Sequence, residues 1–337
     1  MLKNLGCFQD KTDHSLKNVF EKEKNQIIEM TLLFNKEEMD VVCAPTHHFC
    51  NLGCKMCHLT NNKLNKKMIP IQMDDFLEGL IETTTKSVSK NQKKRITNKK
   101  KLLISFMGVG EPLLNLELIA KVHDREQEIK EKLGYESISY AISTMMPNNK
   151  VKKLTSLVME NNIPLKLHFS LHTPLDKDRK ELIPSTNVSI EEALQYMLDY
   201  RNSVTKNKKI MGIYQQFHRT TDPIEIHYTL ISKVNDTKEE LDALCKLLKK
   251  YPIPIKFIRF NPINKLERSE KEELWIETLQ KEIPGLRIKT YSPPGRDVGS
   301  SCGEFTKHYY HEEIETQEEK EEFEQWQKTY GIDKAKL

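Results

Sequence analysis

Apolar residues gather into six short runs, at 40–44, 102–107, 137–144, 165–171, 224–231 and 255–260. Several are almost continuous, the pattern of strands buried on both faces. Between them the apolar spacing changes to that of helices, at 74–88, 116–133, 150–161, 190–200 and 238–250. In the first of these Phe76, Leu77, Leu80 and Ile81 share a face. Ser189 with Glu192, and Asp236 with Glu239, have the spacing of helix-capping boxes. Strands alternating with helices through parallel crossovers predict an α/β fold, as a barrel or a doubly wound sheet, and six repeats fit an open six-stranded barrel. Polar segments at 63–68, 90–101 and 203–209 read as loops. The expected organisation is a short N-terminal extension over 1–39, a barrel over 40–310, and an acidic C-terminal helix over 311–337.

Composition adds little to this picture and charge distribution rather more. Hydrophobic residues make up 37% and charged residues 30%, a globular balance. No run of eighteen apolar residues occurs, which predicts no membrane span, and Met1-Leu2-Lys3-Asn4 lacks the apolar core of a secretory signal. A reducing, cytoplasmic setting is expected. The net charge of +4 identifies no partner, but residues 86–101 carry eight lysines and arginines without an acid. Such a run can hold phosphates or simply be solvated.

Seven cysteines are present, three of them in Cys50-Asn51-Leu52-Gly53-Cys54-Lys55-Met56-Cys57. Clustering of this kind in a reducing compartment points to metal ligation or catalysis rather than structural disulfides. Three thiolates can hold three irons of a [4Fe–4S] cube and leave the fourth open to a small molecule. A zinc site of three cysteines with His48 or His58 is the alternative. The motif follows the first predicted strand, at the end where α/β barrels place their active sites.

This triplet resembles the cluster signature of the radical S-adenosylmethionine superfamily, with Met56 where an aromatic residue is usual. Further motifs resemble the radical RNA adenine methyltransferases within it. They are Phe106-Met107-Gly108-Val109-Gly110-Glu111-Pro112, then Ser170-Leu171-His172 followed by Pro174, Asp176, Arg179 and Pro184, then Asn261-Pro262, and finally Ser301-Cys302-Gly303. The resemblance runs from about Glu29 to about Phe305. It implies a partial (β/α)6 radical-SAM barrel that methylates C2 or C8 of an RNA adenine. Its cofactors would be a [4Fe–4S] cluster on Cys50, Cys54 and Cys57 and two molecules of S-adenosylmethionine per turnover. Its partners would be ribosomal or transfer RNA and a small electron-donor protein.

The resemblance also implies roles for single residues. Gly110, Glu111, Ser143, Ser170, Leu171, His172 and Asn261 would bind the cofactor. Cys302 would carry a methyl group, Cys43 would resolve the covalent RNA intermediate, and Glu29 stands near the family's proton acceptor. Family members usually carry a longer N-terminal region that helps bind RNA, and only about 40 residues precede the first barrel strand here. That leaves open a different adenine-containing substrate, or a zinc-bound RNA-binding module without catalysis.

Overall fold

The computed structural model describes residues 1–11, 13–34, 38–61, 68–85, 100–218, 220–263 and 265–293. Ten strands form one sheet in which each pairs with its neighbours in sequence. The first three, β1 (Lys3–Gln9), β2 (Leu16–Glu21) and β3 (Ile27–Leu33), are an antiparallel meander. The meander continues the sheet through β4 (Met39–Cys43), with Thr31 beside Cys43. From β4 onward all pairings are parallel, through β5 (Lys101–Phe106), β6 (Ser137–Thr144), β7 (Leu165–Ser170), β8 (Ile224–Tyr228), β9 (Ile255–Ile258) and β10 (Ile288–Tyr291). The six predicted strands are β4 to β9.

Two features exceed the sequence expectation. The N-terminal extension is part of the sheet. A seventh parallel strand, β10, has alternate polar residues and too little apolar character to stand out. The parallel strands are also less uniformly apolar than their burial implies. In β7, Leu165, Leu167 and Phe169 face the helices, while Lys166, His168 and Ser170 alternate with them. The same period of two, apolar outward and small or polar inward, recurs in β6 and β8.

The helices are α1 (His58–Asn61), α2 (Met73–Thr85), α3 (Leu116–Asp124), α4 (Glu126–Leu133), α5 (Val151–Asn161), α6 (Asp176–Leu182), α7 (Ile190–Val204), α8 (Lys208–Phe217), α9 (Lys238–Lys250) and α10 (Glu272–Glu282). The helix expected over 116–133 is two helices. Arg125 both ends α3 and begins α4, and its guanidinium is tied to Glu128 and to Asp74 of α2. The segment 203–209, expected as a loop, is mostly the end of α7 and the start of α8. Asn207 makes the new start by accepting from the amides of Lys209 and Ile210. The Ser189–Glu192 capping box is present, but α9 is capped by Thr237 rather than Asp236. Asp236 instead accepts from the amide of Lys233 and the hydroxyl of Ser269. Among the described residues no helix is long and apolar enough to cross a membrane.

Candidate active site

Polar inward positions leave a cavity of about 1320 Å³ inside the curved sheet. The chain leaves β4 at Cys43, and its next residues are stitched to the loop after β5. Ala44 donates to the carbonyl of Ser105 (2.8 Å), Gly108 to that of Ala44 (3.0 Å), and Thr46 to that of Val109 (2.9 Å). Two glycines permit this approach. A Cβ on Gly108 would lie 2.7 Å from the backbone nitrogen of Pro45. Gly110 has φ +103°, and a Cβ there would lie 2.5 Å from Nδ1 of His47.

Cys50, Cys54 and Cys57 occupy the loop beyond and all line the cavity. The loop is held from the far side of the barrel, where the amide of Lys55 donates to the carbonyl of Leu182 (2.9 Å). Leu52 and Cys54 pack there against Leu182 and Ile183. Burial, then the Cys57 sulfur against a backbone hydrogen bond from Leu52, pushes the Cys50 thiol up to about 12, and Cys54 is raised by burial and by both neighbouring sulfurs. Three thiols so placed would ionise together only around a compensating cationic centre. Among the described residues the group spaced within 4.8 Å for a single ion is His168, Glu225 and His227, not the cysteines. More widely set thiols suit a multi-iron cluster better than one zinc. Of the two alternative zinc ligands, His58 lines the cavity, while Nδ1 of His48 lies 3.3 Å from the carbonyl of Ile27.

The other expected cofactor residues surround the same mouth. Glu111 is buried, and its two oxygens accept from the amides of Leu113 and Met145, each at 3.0 Å. Burial raises its carboxyl to about 7, against these hydrogen bonds. It therefore ties the end of β5 to the end of β6 as well as facing the cavity. Ser143 and Ser170 are 3.0 Å apart through their hydroxyls, and Ser143 lies 3.3 Å from Nδ1 of His227. His172 has φ +61° and accepts from the amide of Thr229 at Nδ1 (3.2 Å). Burial first, then Arg179, lowers it to about 3, so it is a neutral imidazole. Asn261 lines the cavity after β9. Leu171 is fully buried in the apolar core, and its amide donates to the carbonyl of His227.

Cys43 lines the cavity beneath the cysteine loop. Glu29 is not among the lining residues. It is buried on β3 in an ion pair with Lys17 (2.8 Å), while Thr31 and Leu33 of that strand reach the cavity. Cys302, residues 86–99 of the basic run and the acidic tail lie outside the described residues. Lys100 and Lys101, which end that run, are paired with Glu136 and Glu38.

Two features had no role assigned from the sequence, although Arg179 belongs to the motif after His172. Arg179 is buried and donates to the carbonyls of Met145 (2.6 Å), Ser170 (3.2 Å) and Leu171 (3.2 Å), so one guanidinium pins two strand ends. The inward polar residues of β7 to β10, including Lys166, His168, Glu225 and His227, were also unassigned. Their alternation with large apolar residues was the available signal.

No protein-family model matches the chain. It is 25% identical over 306 residues to a probable dual-specificity RNA methyltransferase RlmN of Flavobacterium psychrophilum, covering 89% of this chain and 78% of that protein. It is 27% identical over 320 residues to the protein of the same description from Alkaliphilus metalliredigens, covering 93% and 79%. Among solved structures, a radical SAM methyltransferase from Sphaerobacter thermophilus superposes with a TM-score of 0.69 at 20% identity, over 90% of this chain and 80% of that one. The fold is that of a radical SAM methyltransferase. Within that fold, the cysteine loop after β4 and the strand ends around it form the mouth of the barrel. The sequence resembles the RNA methyltransferases along most of its length.

Proposed function

We propose that this protein is a radical S-adenosylmethionine enzyme that methylates a ring carbon, C2 or C8, of adenine in RNA. The observation that carries the reading is the convergence of Cys50, Cys54 and Cys57 with Gly110, Glu111, Ser143, Ser170, His172 and Asn261 on one cavity mouth. The RNA methyltransferase descriptions of its relatives support the substrate class. Cys50, Cys54 and Cys57 would hold a [4Fe–4S] cluster, which would supply one-electron reduction of S-adenosylmethionine, two molecules of which would be used per turnover.

The chain's own residues do the rest. The neutral imidazole of His172 and the paired hydroxyls of Ser143 and Ser170 offer hydrogen bonds to a ribose or carboxylate. Glu111 has lone pairs beyond its two backbone bonds for an ammonium group. Apolar walls beside the cysteines exclude water from the reacting atoms. Cys302 carries the methyl group as a thioether, and Cys43, on the cavity wall, resolves the adduct. A small protein donates electrons. The cytoplasm suits the chemistry, and no disulfide joins the six cysteines among the described residues.

The test is intact-protein mass spectrometry after anaerobic reconstitution, reaction with RNA and nuclease digestion. Wild type should yield methyladenosine, Cys302→Ala none, and Cys43→Ala a stalled nucleotide adduct on the protein. Methyladenosine formed at the normal rate by Cys302→Ala would refute the methyl-cysteine route.

A further inference from the structure

Four adjacent parallel strands each place a charged residue at their second position, Lys166 on β7, Glu225 on β8, Lys256 on β9 and Lys289 on β10. This is the floor of the barrel, opposite the cysteine loop. Lys166 is four residues before Ser170 at the mouth, roughly 13 Å along the strand. The three lysines line the cavity and converge on one carboxylate. Lys256 reaches Oε2 of Glu225 at 2.7 Å, Lys166 the same oxygen at 3.2 Å, and Lys289 reaches Oε1 at 2.9 Å. The group has a formal surplus of two positive charges.

The arrangement is costly as it stands. Lys256 and Lys289 are direct partners in the sheet register, and like charges so placed repel. The Lys166 and Glu225 side chains are 5% and 1% exposed, so solvent screens them little. Burial, then the two other lysines against the pull of Glu225, leaves the Lys166 ammonium down at about 8. A buried donor is also left over. His227 stacks on His168 with centroids 4.3 Å apart, and its Nδ1 faces the Ser143 hydroxyl. Its Nε2 faces Oε2 of Glu225 at 3.8 Å, too long for a hydrogen bond, and has no other partner. With Nδ1 accepting from Ser143, Nε2 carries the proton.

His168, Glu225 and His227 have the spacing of metal ligands. A cation there would join three ammoniums, and the oxygen it needs already holds two of them. An anion would neutralise the group. We propose that the barrel floor is a binding site for a phosphoryl oxyanion, gripped by Lys166, Lys256 and Lys289 with Nε2–H of His227 as a further donor. The surplus of two charges matches the dianion of inorganic phosphate or a phosphate monoester better than a carboxylate. The site stands apart from the methyl-transfer reading and is tested without it.

The experiment is calorimetric titration of the full chain, with its cluster reconstituted, at low ionic strength. The probes are inorganic phosphate and adenosine 5′-monophosphate, with adenosine as the uncharged control. Phosphate should bind one to one and weaken with salt. Competition by the monophosphate identifies a nucleotide as the source, and its failure to compete identifies free phosphate. Lys289→Met trims a side chain that is 42% exposed, so the fold should tolerate it, and should weaken binding about tenfold or more. Glu225→Gln should tighten binding, because the carboxylate no longer competes for the ammoniums. Lys256→Met replaces it if that variant does not fold, and should weaken binding. Absence of phosphate binding, binding unchanged by Lys289→Met, or one zinc bound in wild type and lost in Glu225→Gln overturns the proposal.

Discussion

Replacing Arg179 by methionine should destabilise the protein and empty the cysteine loop together. Methionine fills much of the same space beside the Phe169 ring but donates no hydrogen bond. Three charge-assisted bonds to main-chain carbonyls are lost. Each is worth about 1.5–3 kcal/mol, and the relief of no longer burying a guanidinium offsets part of the sum, leaving a net loss of about 3 kcal/mol. At about 2.1 cal/mol/K per residue this is about 4 °C in melting temperature. The effect should reach the metal site because Arg179 belongs to α6, whose Leu182 holds Lys55 in the cysteine loop. Differential scanning calorimetry and iron-to-protein ratios after anaerobic reconstitution measure both consequences. Arg179→Lys, which keeps the charge but not the fork, should fall between. Full iron loading in Arg179→Met, with a melting temperature within about 1 °C of wild type, would show that the two strand ends do not depend on the guanidinium.

Gly110→Ala forces a side chain onto His47 at φ +103°. It should cost about 1–3 kcal/mol by thermal melt and lower the affinity for S-adenosylmethionine in equilibrium dialysis; unchanged binding would separate Gly110 from the cofactor site. Ser189→Ala removes a capping box and should cost about 1 kcal/mol without changing iron content. Lys166 has a folded pKa of about 8, below its ordinary 10.5. The unfolded chain binds the extra proton between these values, so this group's penalty is full below pH 8 and fades as pH rises toward 10.5. Melting temperatures of Lys166→Met, subtracted from wild type across that window, should show the rise in wild type alone.

Much of the fold was legible because the parallel strands β4 to β9 and five helical segments have strong periodicity. What was missed has physical causes. In the meander, β1 is mostly exposed and its strand character is diluted by Lys3, Asn4 and Gly6, while the buried β2 and β3 interrupt their apolar residues with Lys17, Asn18, Glu29 and Thr31. The break at Arg125 depends on a tertiary partner, Asp74, that no local pattern reveals. The mouth was legible through its motifs, since Gly108, Gly110 and Glu111 each answer to a local steric or hydrogen-bonding demand. The floor was not, because Lys166 and Glu225 become neighbours only through the register of β7 on β8.

The strand order has a consequence for how the protein is made. Every strand pairs with the one synthesised just before it, so the sheet can grow as the chain leaves the ribosome. The cysteine loop emerges early, but its clamp does not. Lys55 and its partner Glu181 are 126 residues apart, and the carbonyl of Leu182 comes one residue later. At about 5–20 residues per second, the thiols wait roughly 6–25 s for that anchor. During this interval they are exposed to oxidation and to adventitious metals. Cluster delivery is therefore best timed to follow α6, when the loop first acquires a fixed shape.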